Sequence, residues 1–298
     1  MNHILPVAAA TLAALAPPSL AHAADCDLTA QTSSSGSQVL YDPFAPQDSI
    51  VDLQITAFNE GDAACVARFY VAPLNGALKL EGPAAAIDYR VDGHRSGAAA
   101  SGAEFGPYII SVPPGGSNST AVRFSIPAQQ VVPVGYYTTA LVVRGATPSD
   151  EAILMSGANP RLTAAVPSRV EMSISGTAAP PLASQSMAPA SIHFGNATGG
   201  QSGRVYVNVW ANSNVLVSLT SENRGVLKNV QTPSLPPIGY TATFDGAALP
   251  LIGTQTLVRT PPMSVQGASY ELAIILGDTT RSFAGRYRDR ITVDVYAN

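Results

Sequence analysis

Gly285-Arg-Tyr-Arg-Asp-Arg-Ile-Thr-Val-Asp-Val-Tyr-Ala-Asn298 decides how the chain is read. Ile291, Val293 and Val295 alternate with Thr292, Asp294 and Tyr296. Period-two alternation with β-branched residues predicts a strand with one buried face. No residue after Asn298 turns back to pair with it, so the strand is expected at a sheet edge. The free N–H and C=O groups of such an edge invite a further strand. The expectation is a last domain completed by another protein, with Ile291, Val293 and Val295 as the acceptor edge.

The composition around this stretch points to an all-β protein. The chain has 298 residues, room for two domains. It contains 25 Gly and 24 Pro, and no long segment has helical periodicity. Frequent turns between short alternating runs predict β-sandwiches. The net charge is −4, with Lys79 and Lys228 the only lysines, which gives no nucleic-acid footprint. Residues 1–23 read as a secretory signal. Ile4 to Ala16 is apolar and Ala21-His-Ala23 offers small residues for cleavage, although no Lys or Arg precedes the run. In an exported chain the two cysteines, Cys26 and Cys65, are expected to pair as one disulfide.

The alternating grammar occurs twice. Val51 to Phe58 and Cys65 to Val71 are strands of the first half, and Arg204 to Trp210 and Tyr270 to Leu276 are strands of the second. Cys26 to Ala30 and Ala86 to Val91 are expected as further strands. Gly76-Ala-Leu-Lys79 returns as Gly225-Val-Leu-Lys228, and Asp92-Gly93 as Asp245-Gly246. Gly135-x-Tyr137-x-x-x-Leu141-x-Val143 returns as Gly285-x-Tyr287-x-x-x-Ile291-x-Val293, and Phe44 has a counterpart in Phe194. The offsets run from 149 to 153 residues. Ordered matches at a nearly constant, domain-sized offset argue for a duplicated domain. Trp210, the only tryptophan, is expected as a half-buried strand residue, and His193 as a strand residue beside Phe194.

The division expected is a signal at 1–23, a first domain at 24–176, a linker at 177–190 and a second domain at 191–298. The linker assignment rests on the Pro/Ala/Ser composition of Thr177 to Ala190. Just before it, Val170, Met172 and Ile174 alternate with polar residues. This segment is expected to close the first domain, either as a donor strand supplied in cis or as its last ordinary strand.

The residues from Ala284-Gly-Arg-Tyr287-Arg-Asp289 into the final alternating strand, with Tyr41-Asp-Pro-Phe44 and Cys26 near the start, resemble the spore coat protein U family. That family includes subunits of archaic chaperone–usher pili. The resemblance covers most of 191–298 and, more loosely, 26–145; the second unit departs from it in having no cysteine pair. It implies two tandem immunoglobulin-like β-sandwich domains, the C-terminal one an incomplete pilin-type domain finished by a strand from the next subunit. It also implies a periplasmic pilus chaperone, an outer-membrane usher and an adjacent pilin subunit as partners. Only about two residues separate the expected cleavage site from Cys26, too few for a donor segment, so the expected role is that of a tip adhesin at the cell surface, reached through the periplasm. The alternative is a non-adhesive secreted coat protein, minor pilin or adaptor.

An adhesin is expected to bind a host or abiotic surface through apolar loops. The candidates are Phe105, Tyr108, Ile109 and Ile110 in one stretch and Val131 and Val132 in another. No catalytic role is expected. His94 and His193 lie far apart, and no G-x-S-x-G, H-E-x-x-H, P-loop or G-x-G-x-x-G occurs. No cofactor or metal is expected.

Overall fold

Val51, Leu53, Ile55 and Ala57 are buried, while Asp52, Gln54 and Thr56 between them are half-buried. This pattern recurs in most strands of the computed structural model, which describes residues 26–33, 38–92, 104–157, 159–176, 178 and 189–298. The signal at 1–23, Gly93, His94 and residues 177 and 179–188 of the expected linker lie outside the described residues.

The first unit contains β1 (Leu28–Ser33), β2 (Gln38–Leu40), β3 (Ser49–Asn59), β4 (Cys65–Pro73), β5 (Lys79–Glu81), β6 (Ala86–Asp88), β7 (Arg90–Val91), β8 (Phe105–Val112), β9 (Ser117–Ile126), β10 (Gly135–Ala146), β11 (Ala152–Ser156) and β12 (Arg161–Val166). One layer runs β1-β3-β9-β7, and the other is built on β8-β4-β10-β12. Their inner faces share one core, with Ile55, Phe124, Phe69 and Leu141 among its buried residues. The first strand starts two residues later than expected, and the strand expected over Ala86 to Val91 is split at Tyr89. Cys26 and Cys65 form a disulfide, with Cα atoms 5.9 Å apart, that ties the residues just before β1 to the start of β4.

The second unit contains β13 (Val170–Ser175), β14 (Ser202–Ala211), β15 (Val215–Ser221), β16 (Val226–Asn229), β17 (Ile238–Phe244), β18 (Ala247–Ala248), β19 (Gln255–Arg259), β20 (Ala268–Leu276), β21 (Tyr287–Arg288) and β22 (Ile291–Ala297). One sheet runs β13-β14-β20-β17-β16-β21, and the other is β19-β15-β22. Val207, Val209, Val217, Leu219, Phe244 and Val293 fill the space between them. The Asp245-Gly246 turn has positive φ at both residues (53° and 77°), as a tight hairpin requires. Both units are therefore all-β sandwiches.

Two expectations about the boundary are corrected. Val170, Met172 and Ile174 do not close the first unit. Their strand pairs antiparallel with β14, Met172 opposite Val209, and all three pack on the second core. The apolar face of a lone strand joins whichever core its hydrogen-bonding partner belongs to, and here that is the second. The passage between units is therefore 167–169, and 177–190 connects β13 to β14 inside the second unit. Asn212, 1% exposed, holds the passage: its side chain donates to Pro167 O at 2.9 Å and accepts from Arg169 N at 2.8 Å. Arg169 then reaches back to Asp42 of the first unit at 3.1 Å.

Trp210 is fully buried, not half-buried, and its Nε1 donates to Val265 O at 3.1 Å. His193 is exposed and lies outside any strand.

Candidate functional site

The repeat seen in the sequence is a repeat of geometry. Gly135 and Gly285 have φ of +154° and +149°. A side chain on Gly135 would meet Pro83, and one on Gly285 would collide with Asn229. Two residues later Tyr137 donates from its hydroxyl to Pro133 O at 2.8 Å, and the Tyr287 hydroxyl accepts from Phe283 N at 3.2 Å. Both bonds reach back four residues from the tyrosine. A tyrosine tied to the backbone just upstream, at the start of a strand, is the corner found in immunoglobulin-like sandwiches. β10 and β22 are thus equivalent strands, with Leu141 matching Ile291 and Val143 matching Val293.

The two units differ in what lies beside that strand. In the first, β11 runs antiparallel to β10, with Gly145 opposite Ile153, and parallel to β1, with Thr29 opposite Leu154. β12 continues along β10, from Ala140 opposite Arg161 to Gly135 opposite Val166. The chain's own β11 and β12 therefore join the layers and close the sandwich, and Leu141 is only 2% exposed.

In the second unit β22 pairs with β15 on one side, Val217 opposite Val295, and with no described strand on the other. Among the described residues β13 likewise pairs only with β14. These two free edges border the same seam. Val170, Met172 and Ile174 line it from β13, and Ile291 and Val295 from β22. All five are half-buried, while Val293 between the last two is 7% exposed. Apolar side chains left half in water beside unpaired backbone form the surface that an added strand covers, by backbone pairing and alternate side-chain insertion. Some Cα atoms of β13 and β22 lie within 8 Å of each other. A strand placed between them would need roughly twice the 4.8 Å strand spacing.

The start of β22 is fixed by Asp289. Its Oδ2 accepts from Tyr240 Oη at 2.6 Å and Ser221 Oγ at 2.7 Å. Its Oδ1 accepts from Asn223 N at 3.0 Å and Arg290 N at 2.8 Å. Burial, and then the Asp289 carboxylate, push the Tyr240 hydroxyl well above the usual phenol range, so it remains a donor. The first unit has Thr139 at the equivalent position, opposite Leu162 of β12. The carboxylate thus stands at the foot of the open edge and is absent from the closed one. Nothing in the sequence around Asp289 marks this role, because its partners are 49 and 68 residues away.

The expected adhesive loops are corrected. Phe105 to Ile110 belong to β8, where Phe105 is 6% and Ile110 9% exposed. Tyr108 is half-buried, with its hydroxyl enclosed and without a hydrogen-bond partner. Val132 is buried and Val131 half-buried. Only Ile109 stands out, at 61% exposure. The stretch looked irregular because Gly106 and Pro107 interrupt its alternation, yet β4 pairs with it from Cys65 opposite Val112 to Val71 opposite Phe105.

No protein-family profile and no curated protein matches the chain in sequence. Among solved structures, the chain is similar to a chain of the Csu pilus chaperone–tip subunit pre-assembly complex of Acinetobacter baumannii. The identity is 14%, covering 91% of this chain and 99% of that one, with a TM-score of 0.43. It is similar to the CupB6 tip adhesin of Pseudomonas aeruginosa at 7% identity, covering 91% and 94%, with a TM-score of 0.38. It is also similar to a chain of a chaperone–tip adhesin complex of CFA/I fimbriae at 12% identity, covering 91% and 84%, with a TM-score of 0.38.

Proposed function

We propose that this protein is an acceptor subunit of an archaic chaperone–usher pilus, placed at the tip, whose second unit is completed by a strand from the adjacent subunit. One observation carries the reading. The seam filled by 152–166 in the first unit is bordered in the second by two edges, β13 and β22, that pair with nothing there among the described residues. The first unit supports the tip position. It is closed by its own strands, and its first described strand is paired on both sides, by β3 and β11, so that strand is not available to a neighbour. The resemblance of Ala284 to Asp289 to the spore coat protein U family points the same way. A periplasmic pilus chaperone then holds the seam before assembly, an outer-membrane usher receives the complex, and the first unit faces a host or abiotic surface.

The burial of Phe105, Ile110 and Val132 favours a second reading of the first unit, as a non-adhesive cap of a coat or minor pilin. Both readings share the acceptor seam.

The test is co-expression of the full chain with its cognate periplasmic chaperone, followed by size exclusion. A one-to-one complex is expected, lost in Ile291→Asp/Val295→Asp while the first unit stays folded. A chain that stays monomeric with the chaperone, and whose β22 amides are already protected from hydrogen exchange, overturns the proposal. Retention of fluorescent latex beads by assembled pili then separates adhesive from non-adhesive.

A further inference from the structure

The foot of the open edge is strongly cationic. Arg224, Lys228, Arg286, Arg288 and Arg290 are all exposed, and none forms an ion pair among the described residues. The fold gathers them at one place. Lys228 lies directly opposite Arg288 in the β16–β21 pairing. Val230 N donates to Arg286 O at 2.8 Å and Glu222 N to Arg290 O at 2.9 Å. Arg224 sits in the turn closed by its own N–H to Ser221 O. Two carboxylates stand among them, Asp289, which accepts from Tyr240 and Ser221, and Glu222, so the cations remain in excess. Elsewhere in the same unit Arg204 faces Glu271 at 3.4 Å and Arg259 faces Asp245 at 3.8 Å. Like charges directly opposite each other on paired strands, as Lys228 and Arg288 are, cost stability, and an acidic partner at this end would offset that cost.

The first unit shows which part of an added strand would arrive there. β11 and then β12 run antiparallel to β10, and β12 ends with Val166 opposite Gly135. Gly285 is the equivalent of Gly135. A strand added to β22 in the same sense therefore ends beside Gly285, next to Arg286, Arg288 and Arg290. Whatever follows that strand, the body of the donating protein, emerges over the cations.

We infer that this collar is an electrostatic docking surface for the strand donor, and that the donor presents an acidic face immediately after its inserted strand. The inference rests on the strand-accepting reading of the seam and adds the chemistry of the partner. Exposed charges at the rim of an interface act chiefly on the rate of encounter, and their effect weakens with salt.

The test uses the full chain and three synthetic peptides. Each copies residues 152–166, which carry β11 and β12, and continues after the final valine with a short Glu/Asp, Ser or Lys tail. Association is followed by stopped-flow fluorescence of labelled peptide at low and high salt. The acid-tailed peptide is expected to associate roughly tenfold faster than the serine-tailed one at low salt. The lysine-tailed peptide is expected to be slowest, and the differences to shrink at high salt. In Lys228→Ser/Arg286→Ser/Arg288→Ser the preference should vanish while binding of the serine-tailed peptide is unchanged. Equal rates for the three peptides, or a preference that survives the triple substitution, overturn the inference and leave the seam's role intact. Binding of none of the peptides, with the chain shown folded by circular dichroism, counts against the strand-accepting reading and takes the inference with it. If the triple substitution abolishes only the capture of phosphatidylglycerol vesicles, the collar is a membrane contact and the inference is wrong.

Discussion

Asp289 holds the hydroxyl of Tyr240 at 2.6 Å, and this contact ties the foot of β22, in one sheet of the second unit, to β17 in the other. The same oxygen takes Ser221, and Ser221 Oγ in turn accepts Gly225 N at 2.8 Å. The open edge is thus anchored at one end by a single carboxylate.

Replacing that carboxylate tests the anchor. Asp289→Ala leaves the Tyr240 and Ser221 hydroxyls without their acceptor, and hydrogen bonds to a charged group contribute about 1.5–3 kcal/mol. The second unit should lose roughly 2–4 kcal/mol in urea unfolding. Trp210 is the only tryptophan and is buried in that unit, so its fluorescence reports the loss directly. An unchanged midpoint would show that the network contributes nothing net.

Two tyrosines of the first unit make opposite predictions. The Tyr89 hydroxyl is buried without a partner, so Tyr89→Phe removes an unsatisfied group and should stabilise the unit by about 1 kcal/mol. Tyr41 donates to Pro127 O at 2.9 Å and accepts from Gln130 N at 2.8 Å, and burial pushes it up to about 12. A raised folded value means that Tyr41 stabilises fully below the ordinary phenol value near 10 and loses that contribution as pH climbs toward 12. At 1% exposure the side chain is not screened by solvent, and the loss should amount to about 2–3 kcal/mol. Tyr41→Phe should lower stability at neutral pH and flatten the alkaline fall, read by circular dichroism from pH 9 to 12. A variant that falls as steeply as the native chain refutes the assignment.

The corrected place of β13 is tested by Met172→Asp. A carboxylate against the second core should destabilise that unit by about 2 kcal/mol or more. The first unit's transition should not move, since β13 pairs with β14 alone. A shift in the first unit, with Trp210 emission unchanged, would return the strand to the first sandwich.

Much of this architecture was legible in the chain. Alternation marked β3, β14 and β22, because a strand with one dry face must repeat every two residues. The offset near 150 residues paired Gly135 with Gly285 and Tyr137 with Tyr287, because each corner needs a glycine backbone and a tyrosine hydroxyl at fixed spacing. Cys26 and Cys65 could pair only with each other.

The tertiary structure alone decided which core each apolar face joins. Val170, Met172 and Ile174 read equally well as the end of one sandwich or the beginning of the next, and only pairing with β14 separates the two. Phe105 and Ile110 looked like loop tips until β4 was seen to pair with their strand, and Asp289 looked like one carboxylate among several until Tyr240 and Ser221 met it. The closure of one seam by residues 152–166, and the open edges of the other, depend on contacts between segments far apart in sequence. Periodicity reports that a face is apolar; only the packed fold determines what covers it.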